Sequence, residues 1–238
     1  MYYSCMPIPA QLLPDPLPAE PLSLAHAWLE EARQAARQPN PNAMVVATVD
    51  TQGQPSARVV LCKEIVRDAG YVCFYTNYDS RKGQELTLNP RLALVMHWDH
   101  FYRQVRMEGW VVKAPAAESD AYFSTRPWQR RVGAWASAQS QPVASRADLE
   151  AAVIREANRF GVPVPGPEDT PVPPGTGDQI PRPEHWGGYH VYLSAVELWV
   201  EGESRIHDRA RWTRPLSPPD ATGIPQITGD WVASRLQP

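Results

Sequence analysis

An antiparallel β-barrel or sandwich with a few inserted helices is the fold class this sequence predicts, and three observations predict it. Short runs rich in Val, Tyr, Trp and Leu recur at hairpin spacing along most of the chain. Helical periodicity is confined to a few segments that fall between groups of such runs. Neither GxGxxG nor GxxxxGK[ST] occurs, so a doubly wound nucleotide-binding sheet has no support. No internal repeat is present. The simplest organisation is a proline-rich arm over residues 1–21 followed by one mainly β domain over 22–238.

The elements follow in order. The six prolines of residues 1–21 read as an extended arm. "LSLAHAWLEEARQAARQ" places Leu24, Trp28, Ala32 and Ala35 at helical spacing, and "PNPN" stops it. "MVVATVD" and "SARVVLCK" flank the turn "TQGQP" as two strands, and "GYVCFYT" is a third. "SRKGQELTLNP" is a short helix with Ser80 as N-cap and Pro90 just past its end. "RLALVMHW" and "RQVRMEGWVVK" are strands. "PAAESDAYFSTRP" is helical up to the residue before Pro127. "SRADLEAAVIREANRFG" has Ser145 as N-cap, Asp148 three residues on and Gly161 as its stop. Eight prolines in residues 162–183 dictate a loop. "YHVYL", "VELWV", "SRIHDRARWTR" and "DWVASRL" are strands, the last pair interrupted by a second proline-rich loop at 215–229.

A net charge of −3 gives no global attraction to nucleic acid or to an anionic membrane, so basic residues matter only where they cluster. No stretch approaches the roughly 20 apolar residues of a membrane span. "MYYSCMPIPA" lacks the basic start and apolar stretch of a signal peptide, and a cytoplasmic location is expected. Cys5, Cys62 and Cys73 are an odd set without CxxC spacing, which argues against a disulfide framework or a zinc site. Cys62 and Cys73 read as small buried hydrophobes. The six histidines form no HxxxH or HExxH, so no metal is expected. GxSxG is absent too, and with it a signature for nucleophilic hydrolysis.

Three clusters carry candidate chemistry. Arg81 and Lys82 occupy the first turn of the helix that Ser80 caps, where the helix dipole disfavours cations by a few tenths to about 1 kcal/mol. Their placement makes sense where an anion such as a phosphate binds; a solvated surface pair stands level with it on this motif alone. In "DAYFSTRPWQRRVGAW", Tyr122 and Arg126 fall at i, i+4, with Arg130 and Arg131 beyond the proline; a basic solvated loop is the blander account. In "SRIHDR", a strand would put Arg205, His207 and Arg209 on one face, beside Trp199, and raise the question of what faces them.

Taken together, "RVVLCK", "FYTNYDSRKGQEL", "RQVRMEG", "SDAYFSTRP", "VGAWASAQSQ", "HWGGY", "ELWVEGESRIHDR" and the closing "RLQP" resemble the pyridoxine/pyridoxamine 5′-phosphate oxidases, in the family's order from about residue 43 onward. The resemblance implies an antiparallel split β-barrel, assembled as a homodimer with FMN in two interface clefts. The FMN contacts it implies are Arg58, Val59, Val60, Leu61, Cys62, Lys63, Tyr75, Thr76, Arg81 and Lys82, with Gln104, Gln139, Ser140, Trp199 and Arg209. It implies Lys63, Tyr122 and Arg126 at the substrate phosphate, with Arg130 either joining them or turning to solvent, and Arg205 and His207 as the catalytic pair holding the substrate ring.

The implied reaction converts pyridoxine or pyridoxamine 5′-phosphate to pyridoxal 5′-phosphate, with O2 as acceptor and H2O2 as product. Two alternatives stay in play: an FMN oxidase for another ring acid of the phenazine-precursor type, and a flavin- or pyridoxal-phosphate-binding protein with little turnover. The chain departs from the family in carrying Arg130 where a small residue is usual and Val200 where Gln is usual. The family's Arg- and Tyr-containing arm is also not recognisable in residues 1–20.

Overall fold

The computed structural model describes residues 12–167, 171–220 and 223–238. Residues 1–11 of the expected arm, Cys5 among them, lie outside the described residues, as do parts of both proline-rich loops. The chain divides into two compact units. One contains the segments up to Phe74, Asn89–Val112 and His190–Pro238; the other contains Tyr75–Leu88 and Lys113–Tyr189.

The first unit is built on one-sided alternation. Helix α1 (Leu22–Ala35) precedes β1 (Ala43–Val49), β2 (Pro55–Leu61), β3 (Glu64–Val66) and β4 (Tyr71–Asn77). Further along come β5 (Arg91–Trp98) and β6 (Arg103–Lys113), then β7 (Trp186–Val200), β8 (Asp208–Thr213) and β9 (Val232–Leu236); residues 75–77, 113 and 186–189, at the ends of β4, β6 and β7, belong to the second unit. The sheet order is β2-β1-β5-β6-β7-β4-β3, with β8 between β7 and β9. The pairs β1–β2, β1–β5, β3–β4, β5–β6, β7–β8 and β8–β9 run antiparallel. Every second residue of β5 and β6 is buried, and the register sets Leu94 opposite Met107 and Met96 opposite Val105. These cross-strand pairs form the core of the sheet. Trp98 closes it, its indole N–H donating to the Pro41 carbonyl at 2.7 Å.

Helix α1 buries Leu22, Ala25, Trp28, Leu29 and Ala32. Of the face expected from spacing, Trp28 and Ala32 are buried, whereas Leu24 is half-buried and Ala35 exposed. The helix ends before "PNPN" because Ala36 already adopts a left-handed φ of 48°.

In the second unit, α2 (Arg81–Leu88), α3 (Ala116–Ser124), α4 (Trp128–Ala136) and α5 (Arg146–Phe160) are the helices. Phe123, Trp128, Val132, Ala134, Ala157, Val162, Ile180 and Trp186 form their core. Ser145 caps α5, its hydroxyl accepting from the Asp148 amide, and Gly161 ends it at φ 63°. Both ends are as the sequence predicts.

Four expectations are corrected. "YHVYL" and "VELWV" are one 15-residue strand, β7, because almost every residue of it is buried and no turn residue divides them. β2 stops at Leu61, so Cys62 and Lys63 lie in a link to the short β3, which the sequence reading missed. Arg130 and Arg131 sit on α4, a helix that Pro127 starts rather than prevents, since proline precedes a first helical turn without losing a bond. "SRIHDRARWTR" is a strand only from Asp208. Residues Glu203–Arg205 form a 3-10 turn with Ser204 at φ 52° and Arg205 at φ 64°. Two successive left-handed residues cannot continue a strand, so Arg205, His207 and Arg209 do not share one strand face.

Ala36 offers a direct test of the C-cap. A left-handed non-glycine residue costs about 1–2 kcal/mol, so Ala36→Gly is expected to raise unfolding free energy by about 1 kcal/mol in urea titration. An unchanged or lower midpoint would show that the turn is not strained.

Candidate functional site

In the second unit the start of α2 gathers four polar side chains. Ser80 donates to the Asn77 carbonyl at 2.6 Å and its Oγ receives the Gly83 amide at 3.4 Å, the N-cap role the sequence assigns. Gly83 is required by contact, because a Cβ there would lie 1.9 Å from the Tyr78 carbonyl oxygen. The Lys82 ammonium is buried and donates to Thr76 Oγ1 at 2.8 Å, Ser80 Oγ at 2.9 Å and Gln139 Oε1 at 2.7 Å. Arg81 is turned differently: it is largely exposed and pairs with Glu85 at 2.8 Å. The structure thus joins Thr76, Lys82 and Gln139, residues up to 63 positions apart, and leaves Arg81 at the rim of the same helix start. Ser140 follows with φ 72° in the exposed turn beyond α4.

A second group in this unit is aromatic and basic. Tyr75 stacks on Tyr122 with ring centroids 4.0 Å apart and on Trp186 at 5.5 Å, and its hydroxyl donates to Glu118 at 3.1 Å. The Arg126 guanidinium lies 4.6 Å over the Trp186 ring. Arg126 is beyond the end of α3, so it meets Tyr122's neighbours through this packing and not through an i, i+4 helical face. Its Nη1 is buried with no hydrogen-bond partner among the described residues. Burial lowers the pKa of this guanidinium, Tyr122 opposes that shift, and Arg130 and Arg131 add to it. A buried unmatched N–H beside two further cations fits an anion. Arg131 serves the fold instead, donating to the carbonyls of Arg126 at 2.8 Å and Gly177 at 3.1 Å and to that of Ser124. Arg130 is exposed on α4.

In the first unit, Arg58 on β2 is held by the Thr48 and Ser56 hydroxyls. Val59 pairs with Val45 across β1–β2 and is exposed, with Val60 and Leu61 completing the strand. Cys62 is buried, and that burial pushes its thiol up to about 12, so it is neither a thiolate nor a nucleophile at neutral pH. The Lys63 amide donates to the Cys73 carbonyl at 2.8 Å. Gln104 lies on β6 opposite His97.

Trp199 and Arg209 are direct partners across β7–β8. Arg209 is paired with Glu197 at 2.9 Å and also donates to the Gln237 carbonyl at 3.0 Å, which fastens the C-terminal "RLQP" segment. Glu197 is buried and takes Arg106 at 3.2 Å on its other oxygen. Sequence reading missed Glu197, although a carboxylate inside the apolar run "VELWV" was its signal. His207 lies 4.8 Å from the Trp199 ring, and its Nδ1 accepts from the Gly202 amide at 3.2 Å. Arg205 is exposed and makes no hydrogen bond or ion pair among the described residues. Along "SRIHDR", Glu197 thus neutralises Arg209, and the turn separates it from Arg205.

An antiparallel sheet with inserted helices places the chain in the split-barrel class. A solved structure of PhzG from Burkholderia lata 383, in complex with tetrahydrophenazine-1-carboxylic acid, matches it with TM-score 0.76 and 28% identity, over 94% of this chain and 95% of that one. An FMN-binding protein from Nostoc punctiforme matches with TM-score 0.61 at 14% identity, over 92% of this chain and 98% of that one, a likeness of fold. A pyridoxamine 5′-phosphate oxidase family model matches residues 29–158, and one for the pyridoxine 5′-phosphate oxidase C-terminal dimerisation region matches 186–238. The pyridoxine/pyridoxamine 5′-phosphate oxidase of Bordetella petrii is 45% identical over 95% of this chain and 93% of its own length. That of Cupriavidus necator is 46% identical over 92% and 89%. The chain belongs to the pyridoxine/pyridoxamine 5′-phosphate oxidase family.

The cysteine chemistry gives a check on this site. In a Cys5→Ser variant, a thiol reagent is expected to modify neither Cys62 nor Cys73 in native buffer and both after unfolding. Native labelling at the unfolded rate would show that the β2–β3 link opens.

Proposed function

We propose that this protein is an FMN-dependent oxidase that converts pyridoxine 5′-phosphate or pyridoxamine 5′-phosphate to pyridoxal 5′-phosphate, with O2 as acceptor and H2O2 as product. It acts as a cytoplasmic homodimer. The observation that carries this reading is 45% identity over 95% of the chain with an oxidase of that name. The likeness to PhzG, at 28%, gives the phenazine-type alternative less support.

The residues fit the cofactor. A helix start with an N-cap hydroxyl, a buried ammonium and an exposed guanidinium suits one phosphate, so Ser80, Arg81 and Lys82 would hold the FMN phosphate, aided by Thr76 and Gln139. Arg58 to Lys63, Tyr75, Gln104, Ser140, Trp199 and Arg209 complete the cofactor set by resemblance. FMN, when bound, supplies the two-electron redox chemistry.

What the chain adds is binding and orientation. Arg126, with its unmatched Nη1, receives the substrate phosphate with Tyr122 and Arg130; Lys63 is assigned to that phosphate by resemblance alone. Arg205 and His207 orient the substrate ring. Glu197 holds the Arg209 guanidinium in place by two hydrogen bonds, from Nη2 at 2.9 Å and Nε at 3.3 Å.

Purified protein is expected to show a flavin spectrum that bleaches on anaerobic addition of pyridoxine phosphate and to release peroxide when air is admitted. Bound flavin without bleaching would favour a binding protein, and bleaching only by another ring acid would favour the phenazine-type reading. Lys82→Ala is expected to weaken FMN by about 1.5–3 kcal/mol, a roughly ten- to hundredfold rise in Kd. The measurement is flavin titration of apo-protein; an unchanged Kd would leave Lys82 a purely structural lysine.

A further inference from the structure

The connection from β7 to β8 is built more tightly than a surface loop needs. After the last register pair, Val200–Asp208, seven residues leave the sheet and return. The Ile206 amide closes on the Glu203 carbonyl at 2.9 Å, and Ser204 and Arg205 are both left-handed. Non-glycine residues rarely adopt that region and persist there only where their surroundings impose it. Gly202 is the point of closest approach, since a Cβ there would lie 1.7 Å from the Ile206 carbonyl oxygen and 3.2 Å from the His207 nitrogen. This approach brings the Gly202 N–H onto His207 Nδ1 at 3.2 Å. On the same imidazole, the Trp199 ring packs at 4.8 Å and 43°, opposing a ring flip that would exchange the two nitrogens.

We propose that the Gly202 main-chain amide is a positioning group for His207: it fixes the neutral imidazole as its Nε2–H tautomer, so that His207 meets the substrate as a hydrogen-bond donor and not as a proton acceptor. A ring nitrogen that accepts an N–H carries no proton, so the single proton of the neutral ring sits on Nε2. The lone pair a general base would need is already engaged by Gly202. The substrate group at His207 must then offer an acceptor, an oxygen or an aromatic nitrogen. The inference rests on the reading that places His207 against the substrate ring, and it adds the protonation state and the group that sets it.

Long-range 1H–15N spectra of the holoenzyme labelled at histidine nitrogen test the tautomer directly, with the His207 signals identified by their loss in His207→Gln. A protonated Nε2 and an unprotonated Nδ1 are expected, and the opposite pattern overturns the proposal whatever the activity. Gly202→Ala, whose Cβ must displace this turn, is expected to mix the two tautomers; a single unchanged tautomer would show that the Gly202 contact does not set it. Two further variants separate donor from base without disturbing the turn. His207→Gln keeps an N–H near the ε position, whereas His207→Asn keeps only a group near the δ position. Under the proposal, kcat/KM of the Gln variant exceeds that of the Asn variant by at least tenfold. Equal, near-complete loss in both overturns the donor role in favour of a base. Wild-type turnover in both, with the Nε2–H tautomer intact, overturns instead the placement of His207 at the substrate.

Discussion

A carboxylate taken out of water must be matched by charge, and Glu197 on β7 shows how much structure that condition organises. Its burial is tolerable because Arg209 and Arg106 both reach it, one on each oxygen. Arg209 in turn holds the Gln237 carbonyl, so the end of the chain is tied to the same charge. The β7–β8 register is consistent with this arrangement: Trp199 faces Arg209, and the turn that follows must return to Asp208. Removing the carboxylate would leave two guanidiniums, a tail segment and a strand pair without their common partner.

The second unit solves the opposite problem. There the buried charge is the Lys82 ammonium, and hydroxyl and amide oxygens from Thr76, Ser80 and Gln139 receive it. Neutral oxygens satisfy its hydrogens without cancelling its charge. The contact between Gly83 and the Tyr78 carbonyl holds the backbone close at this helix start. Arg126 is a related case: its buried Nη1, among aromatic rings, has no acceptor among the described residues.

Much of this was legible along the chain. The alternation in "RLALVMHW" and "RQVRMEGWVVK" dictates two half-buried strands whatever surrounds them, because side chains alternate with period two. Ser145 with Asp148, and Gly161 at the far end, specify α5 by local hydrogen bonding and backbone freedom alone. Ser80 marked the start of α2 for the same local reason. The family was readable from ordered motifs, and the comparisons agree.

Other features depended on partners distant in sequence. Nothing in "VELWV" says that Glu197 is neutralised by residues 91 positions before it and 12 after it. The i, i+2, i+4 spacing of Arg205, His207 and Arg209 was a correct count on a wrong backbone, since the left-handed pair at Ser204 and Arg205 arises from closing a return to β8. Lys82 and Arg81 are adjacent in sequence yet end with opposite fates, one buried by Gln139 and the other exposed against Glu85. Local chemistry along the chain determined the strands and the caps. Long-range packing decided which residues are buried, which are paired and that the Gly202 amide meets His207 Nδ1, because each depends on a contact that no spacing rule encodes.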